Sequence, residues 1–158
     1  MQDTYIERQR MDTLWPLFLM TIIMVINWWV YIRNGYPDFS FLYISITTGG
    51  ILCLFWLIQT LKTEISTDQI RFRLFPFQSK WQSISRSEIE SLEVRTYNPF
   101  KEYGGYGKRS GSSGKAFTIS GKYGLQIVLK DGSKILIGTH QQEKLLGFIQ
   151  RVYTNKSV

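Results

Sequence analysis

One histidine and one cysteine, His140 and Cys53, occur in 158 residues. A single imidazole and a single thiol supply no multi-histidine or cysteine metal set and no intrachain disulfide. His140 stands at the start of an expected helix, with no conspicuous nucleophile or metal cluster beside it, so a capping-region role suits it better than acid–base work. Cys53 lies inside an uncharged run, away from any base. The expectation is a protein that is not an enzyme and holds no cofactor and no metal.

The stronger chemical signal is a set of cations interleaved with aromatic rings. Lys101, Lys108, Arg109, Lys115 and Lys122 mix with Tyr97, Phe100, Tyr103 and Tyr106 around the glycine-rich segment Gly104 to Gly114. Cations attract anionic headgroups at about 1 kcal/mol each, and aromatic rings settle at a lipid interface. Lys101, Lys108, Arg109, Lys115, Lys122 and Tyr106 are therefore the candidate lipid- or ligand-binding residues, with Glu102 opposing them. The glycines themselves complete no nucleotide motif. A Walker loop ending in Gly114-Lys115 needs Gly and Ser or Thr where Arg109 and Ala116 stand. The dinucleotide fingerprint fails after Gly105 and Gly107, because position 110 is serine and no helix follows. The segment reads as a long flexible loop between two strands.

These cations belong to an unevenly charged chain of about one domain. Lys and Arg number 19 against 12 Asp and Glu, a formal +7. Arg8, Arg10 and Arg33 against Asp3, Glu7, Asp12 and Asp38 leave residues 1–61 at −1, so residues 62–158 carry +8. The two parts also differ in pattern. Leu14 to Ile32, 19 residues, and Phe39 to Leu61, 23 residues, contain no formal charge, and each is long enough for a bilayer crossing, which takes roughly 20 mostly apolar residues. Residues 1–61 are thus expected to hold a two-helix transmembrane hairpin, with spans about 14–32 and 39–61 joined by the turn Arg33 to Asp38. The first span reads as a retained anchor, since it has no small-x-small cleavage site.

Arg8, Arg10 and Lys62 flank the spans, so the positive-inside rule predicts a multi-pass protein of the plasma membrane with both termini cytoplasmic. Trp15, Trp28, Trp29 and Tyr31 are the expected membrane-interface anchors. Asn27 reads as a helix–helix or headgroup hydrogen-bonding residue, and Ser45 with Gly49, next to Gly50, as a small-residue contact within the hairpin. The spans contain no ionisable group suited to a proton relay.

From residue 62 the period changes. Strands are predicted at Lys62 to Ile65, Ile70 to Phe75, Lys80 to Ile84, Leu92 to Tyr97, Ala116 to Ser120, Leu125 to Lys130 and Lys134 to Gly138, with Asp131-Gly132 as a tight turn. Leu145, Leu146, Phe148, Ile149 and Val152 then share one face of a helix over Gln141 to Val152, started by a capping box from Thr139 to Gln142. The expected fold is α+β and mainly β, with the cytoplasmic domain 62–158 a seven-stranded antiparallel barrel of pleckstrin-homology (PH) type capped by a C-terminal helix.

The chain resembles bacterial membrane proteins that fuse transmembrane helices to a bacterial PH domain. The resemblance lies in Ile84 to Ile89 leading into Leu92-Glu93-Val94-Arg95, in Gly104 to Arg109, and in Gly124 to Gly132 running on through Ile135 to Thr139. It implies a membrane-tethered interaction or assembly module without a catalytic set. Lys62, Arg71 and Arg73 also echo the basic pattern by which some eukaryotic PH domains hold inositol phosphates. The turn Ser66 to Gln69 lacks a basic residue and is too short for a headgroup pocket, so these side chains read as solvent-facing. Expected partners are the lipid bilayer, a second copy of the chain or a membrane protein, and no nucleic acid. The alternative function is a receptor for an anionic headgroup or small ligand at the basic glycine-rich loop.

Overall fold

The computed structural model describes residues 4–11, 15–34 and 40–154, without the side chains of 15, 16, 19, 40–42 and 154. The turn expected over Arg33 to Asp38 lies, from Gly35 on, outside the described residues. The chain divides into two units, one of Met1–Arg10 with Gln59–Val158 and one of Met11–Ile58.

In the first unit, the alternation of Ile70, Phe72 and Leu74 with Arg71 and Arg73 produces strand β3 (Gln69–Phe75), with the apolar set buried. It pairs antiparallel with β2 (Thr60–Ile65), which aligns Leu61 with Leu74 and Ile65 with Ile70. Ser66 closes the intervening turn, its amide and hydroxyl both donating to the Gln69 carbonyl at 3.0 Å. On the other edge of β3 runs β4 (Gln78–Ser85), with a register shift between Phe72 and Leu74.

A further strand was not expected. β1 (Tyr5–Arg10) pairs antiparallel with β2, giving a first sheet of order β1-β2-β3-β4. Its inward side chains are Tyr5, Glu7 and Gln9, so hydrophobic alternation could not reveal it. Hydrogen bonds hold it instead. The Glu7 carboxylate accepts from the Tyr5 and Thr139 hydroxyls at 2.7 Å each, and the Gln9 side-chain amide donates to the Gly138 carbonyl at 2.6 Å.

The second sheet has the order β5-β8-β9-β7-β6. Its strands are β5 (Ile89–Thr96), β6 (Gly107–Gly111), β7 (Gly114–Thr118), β8 (Tyr123–Leu129) and β9 (Lys134–Thr139). The pairings are antiparallel except for β7 with β9, which is parallel. Asp131-Gly132 forms the expected turn between β8 and β9, where Gly132 donates to the Leu129 carbonyl at 2.9 Å. The inner faces of the sheets meet at Phe72 and Phe117, whose ring centroids lie 4.7 Å apart.

These two sheets correct the expected seven-stranded PH-like barrel. The protein is mixed α+β with open sheets of four and five strands, and no barrel closes among the described residues. Closure requires a backbone ladder across both seams. The chain instead leaves β4 through a 3-10 turn at Arg86–Glu88 before starting β5, and the ladders end at β4 and β6. The glycine-rich segment Gly104 to Gly114 is no long loop either: α3 (Pro99–Tyr103) ends just before it, β6 lies within it and β7 begins at Gly114.

Helix α4 (Gln142–Ile149) buries Leu145 and Ile149 and continues as a π-helical turn over Gln150–Thr154. The expected capping box is absent. Thr139 ends β9, and its hydroxyl accepts from the Gln141 amide at 3.0 Å while donating to Glu7.

The second unit contains α1 (Trp15–Asn34) and α2 (Ser40–Ile58). Among the described residues, no helix is long and apolar enough to cross a membrane. The expected transmembrane hairpin and multi-pass cytoplasmic-facing placement are corrected accordingly. The second predicted span loses Thr60 and Leu61 to β2, where Leu61 is wholly buried in the sheet core. α2 ends at Ile58 with 19 residues, short of the 23-residue run read from the sequence. Along α1, Thr21, Asn27, Arg33 and Asn34 dilute the apolar run.

Within this unit the polar side chains return to their own helices. Asn27 donates to the Ile23 carbonyl at 2.7 Å, and Thr47 to the Tyr43 carbonyl at 2.9 Å. Gly49 admits α1 closely, since a Cβ there would lie 3.7 Å from the Met24 sulfur. Trp28 and Trp29 are exposed, Trp28 stacks on Tyr31 at 6.1 Å, and Arg33 lies 5.0 Å from the Trp29 ring centroid. The Trp15 side chain lies outside the described residues.

Candidate functional site

The open seam between β4 and the β6–β7 edge forms a cleft of about 740 Å³, within the usual range for small-ligand sites. Ile84, Phe117, Leu129 and Ile135 line it with apolar surface, and Lys108, Lys115 and Lys130 contribute cations. Gln82, Ser83, Ser87, Glu88 and Asp131 complete the polar lining.

Each lysine reaches the cleft for a local reason. Lys108 and Lys115 are on the two arms of the β6–β7 hairpin, where Ser110 aligns with Lys115 and Lys108 with Phe117. Gly114 lets that hairpin turn, at a φ of 102° with the Lys134 carbonyl where a Cβ would stand. Lys108 Nζ donates to Gln78 Oε1 at 2.9 Å, a side-chain link from β6 to β4. Lys130 follows β8, and its amide donates to the Glu88 carbonyl at 2.9 Å, which sets it beside the 3-10 turn. The Asp131 carboxyl is held below its ordinary range by hydrogen bonds from the Ser133 hydroxyl and amide, so it stays ionised at neutral pH; with Glu88 it makes two acidic side chains in a cleft of three lysines.

The residues singled out in the sequence do not converge on one place. Lys108 and Lys115 line the cleft, whereas Tyr106 and Lys122 line a shallower depression with Tyr97, Asn98 and Phe100. The Tyr106 hydroxyl donates to the Gly121 carbonyl at 3.0 Å, and its ring meets Phe100 edge-on at 5.9 Å. Lys122 lies 5.5 Å from the Tyr123 ring centroid. Arg109 donates through Nε to the Tyr106 carbonyl at 3.0 Å, and Lys101 is exposed on α3.

Glu102 does not oppose the lysines as the sequence suggested. It accepts from Arg95 at 2.7 Å and from the Asn98 amide at 2.7 Å, locking α3 against β5. The Arg95 bond holds the Glu102 carboxyl below its ordinary range, and Glu102 in turn raises Arg95. Tyr103, pushed upward by burial, completes this group with Gln126, which accepts from Arg95 Nε at 3.1 Å.

Two features escaped the sequence reading. Lys130 was invisible because only the β7-β9-β8 order brings it to Lys115. Ser120 and His140 were not paired in advance, yet Ser120 Oγ and His140 Nε2 lie 2.8 Å apart. This pair has the spacing of a nucleophile and its base. The serine, however, is only 1% exposed, and Glu7 engages the His140 backbone amide at 2.8 Å. Both are anchors for the end of β9. Among the described residues, no group of three or more His, Cys, Asp or Glu side chains could hold a metal ion.

No family model matches the chain, and no curated protein matches it. With two open sheets and no helix among the described residues fit to cross a membrane, the resemblance to membrane-tethered PH-domain proteins is not sustained.

Proposed function

We propose that this protein is a non-catalytic interaction module that holds an anionic, partly apolar ligand in the cleft between its sheets. The observation that carries this reading is the convergence of Lys108, Lys115 and Lys130 around a wall of Ile84, Phe117, Leu129 and Ile135. Apolar surface supplies affinity, and a few fixed polar groups supply orientation. A phosphate or carboxylate head would meet the lysines while its hydrocarbon lies on the wall. Burial of the Ser120 hydroxyl supports a binding role over a hydrolytic one.

Calorimetric titration of the full chain with dodecyl phosphate, below its micelle concentration, tests the reading. Saturable binding that weakens with salt and is lost in the combined Lys108→Ser, Lys115→Ser, Lys130→Ser variant is expected. Binding retained by that variant, or equal binding of dodecanol, overturns it.

A further inference from the structure

The pairing of β1 with β2 assembles a charged surface that neither strand shows alone. Alternation turns Ile6, Arg8 and Arg10 of β1, Lys62 and Glu64 of β2, and Arg71 and Arg73 of β3 to the outside of the first sheet. The register aligns Arg8 with Lys62 and Lys62 with Arg73. Three cations thus form one row across three adjacent strands, roughly 10 Å long at the usual strand spacing. Like charges placed directly opposite destabilise a ladder. Glu64 offsets little of this, being 3.9 Å from Arg71 in the neighbouring row.

Trp81 keeps two of these cations together. The guanidinium carbons of Arg71 and Arg73 lie 5.0 and 4.9 Å from its ring centroid. Such stacking orients both groups at modest solvation cost. Apolar side chains border the row on the same face: Ile6 is 67% exposed, and Phe75, opposite Thr60 and thence Arg10, is exposed as well.

We infer that the outer face of the first sheet, centred on the row Arg8, Lys62 and Arg73, docks on an anionic lipid surface. Three observations favour lipid over other polyanions. The cations lie in one register row on the outside of a sheet, suited to a surface of many headgroups. Exposed Ile6 and Phe75 beside them match the mixture of cation and hydrocarbon that a lipid interface takes up. The Trp81 ring, which a nucleic acid base would need for stacking, is engaged by arginines. This docking is peripheral and shares no residue with the cleft.

The experiment measures partitioning of the full chain onto phosphatidylglycerol and phosphatidylcholine vesicles at low and high salt. Each charge near an anionic surface contributes about fivefold, so the combined Arg8→Ser, Lys62→Ser, Arg73→Ser variant should lose about a hundredfold on phosphatidylglycerol and little on phosphatidylcholine. Its melting temperature should be unchanged or higher, because the like-charge row is gone. The paired variant Lys101→Ser, Lys144→Ser, at exposed positions outside both the row and the cleft, should partition nearly as the parent does; a loss there as large as that of the row variant shows a response to net charge alone and overturns the inference. An equal loss on both vesicles, no loss on either, or tighter binding of a single-stranded oligonucleotide through the same three residues overturns the inference.

Discussion

The Glu7 carboxylate accepts the main-chain amide of His140 at 2.8 Å, joining the N-terminal strand of one sheet to the end of the last strand of the other. Tyr5 and Thr139 donate to the same carboxylate at 2.7 Å each, so the buried oxygens are well supplied with donors. Hydrogen bonds to a charged group are worth about 1.5 to 3 kcal/mol each, and donors left buried and unmatched cost a comparable amount. Glu7→Ala should therefore lower unfolding stability by about 3 kcal/mol, measured by urea titration. Glu7→Gln, which keeps an acceptor for His140, should lose less.

The Arg95–Glu102 pair gives stability a dependence on pH. The folded state holds the Glu102 carboxyl below its ordinary value, chiefly through the Arg95 hydrogen bond. Such a group stabilises the fold at pH above its unfolded pKa, and the contribution is lost as pH falls through the folded one. Glu102→Gln should be less stable than the parent near neutral pH, with the difference closing below the carboxylate range. Urea midpoints of both proteins across that interval check this, and a difference that persists in acid would show that packing of α3 is responsible.

Two glycines with similar backbone angles should respond differently to alanine. At Gly114, with φ at 102°, a Cβ would collide with the Lys134 carbonyl, whereas at Gly132, with φ at 81°, the space is open. Gly132→Ala carries only the backbone cost of about 1 kcal/mol, and Gly114→Ala should cost about 3 kcal/mol by adding the clash. The same substitution should weaken dodecyl phosphate binding, since it displaces the hairpin that carries Lys108 and Lys115.

Leu61 distinguishes a sheet residue from a helix residue. It is wholly buried on β2 opposite Leu74, so Leu61→Ala should cost about 3 kcal/mol. Leu57→Ala, at an exposed position of α2, should change the unfolding of the sheet unit by less than about 0.5 kcal/mol.

Legibility followed the chemistry of the inward faces. Ile70, Phe72 and Leu74 announce a strand because every second residue is apolar, and Asp131-Gly132 announces its turn because glycine tolerates a positive φ. β1 hides because Tyr5, Glu7 and Gln9 reach the interior by hydrogen bonding. β6 hides because Gly107, Ser110 and Gly111 offer no apolar alternation. The expected barrel failed at its seams, since a count of strands carries no information on which of them share a ladder. For the site, residue type identified Lys108 and Lys115. The strand order alone supplied Lys130, and it sent Lys101, Lys122 and Tyr106 elsewhere.

The register of β1 on β2 ends with Arg10 opposite Thr60. Both ends of the intervening segment therefore leave the sheet side by side, as the ends of a tight turn do. In engineering terms α1 and α2 occupy a port, a place where the strand pair fixes the spacing of an insert's two termini. A short Asn-Gly link would join the same two positions, as it does in any hairpin.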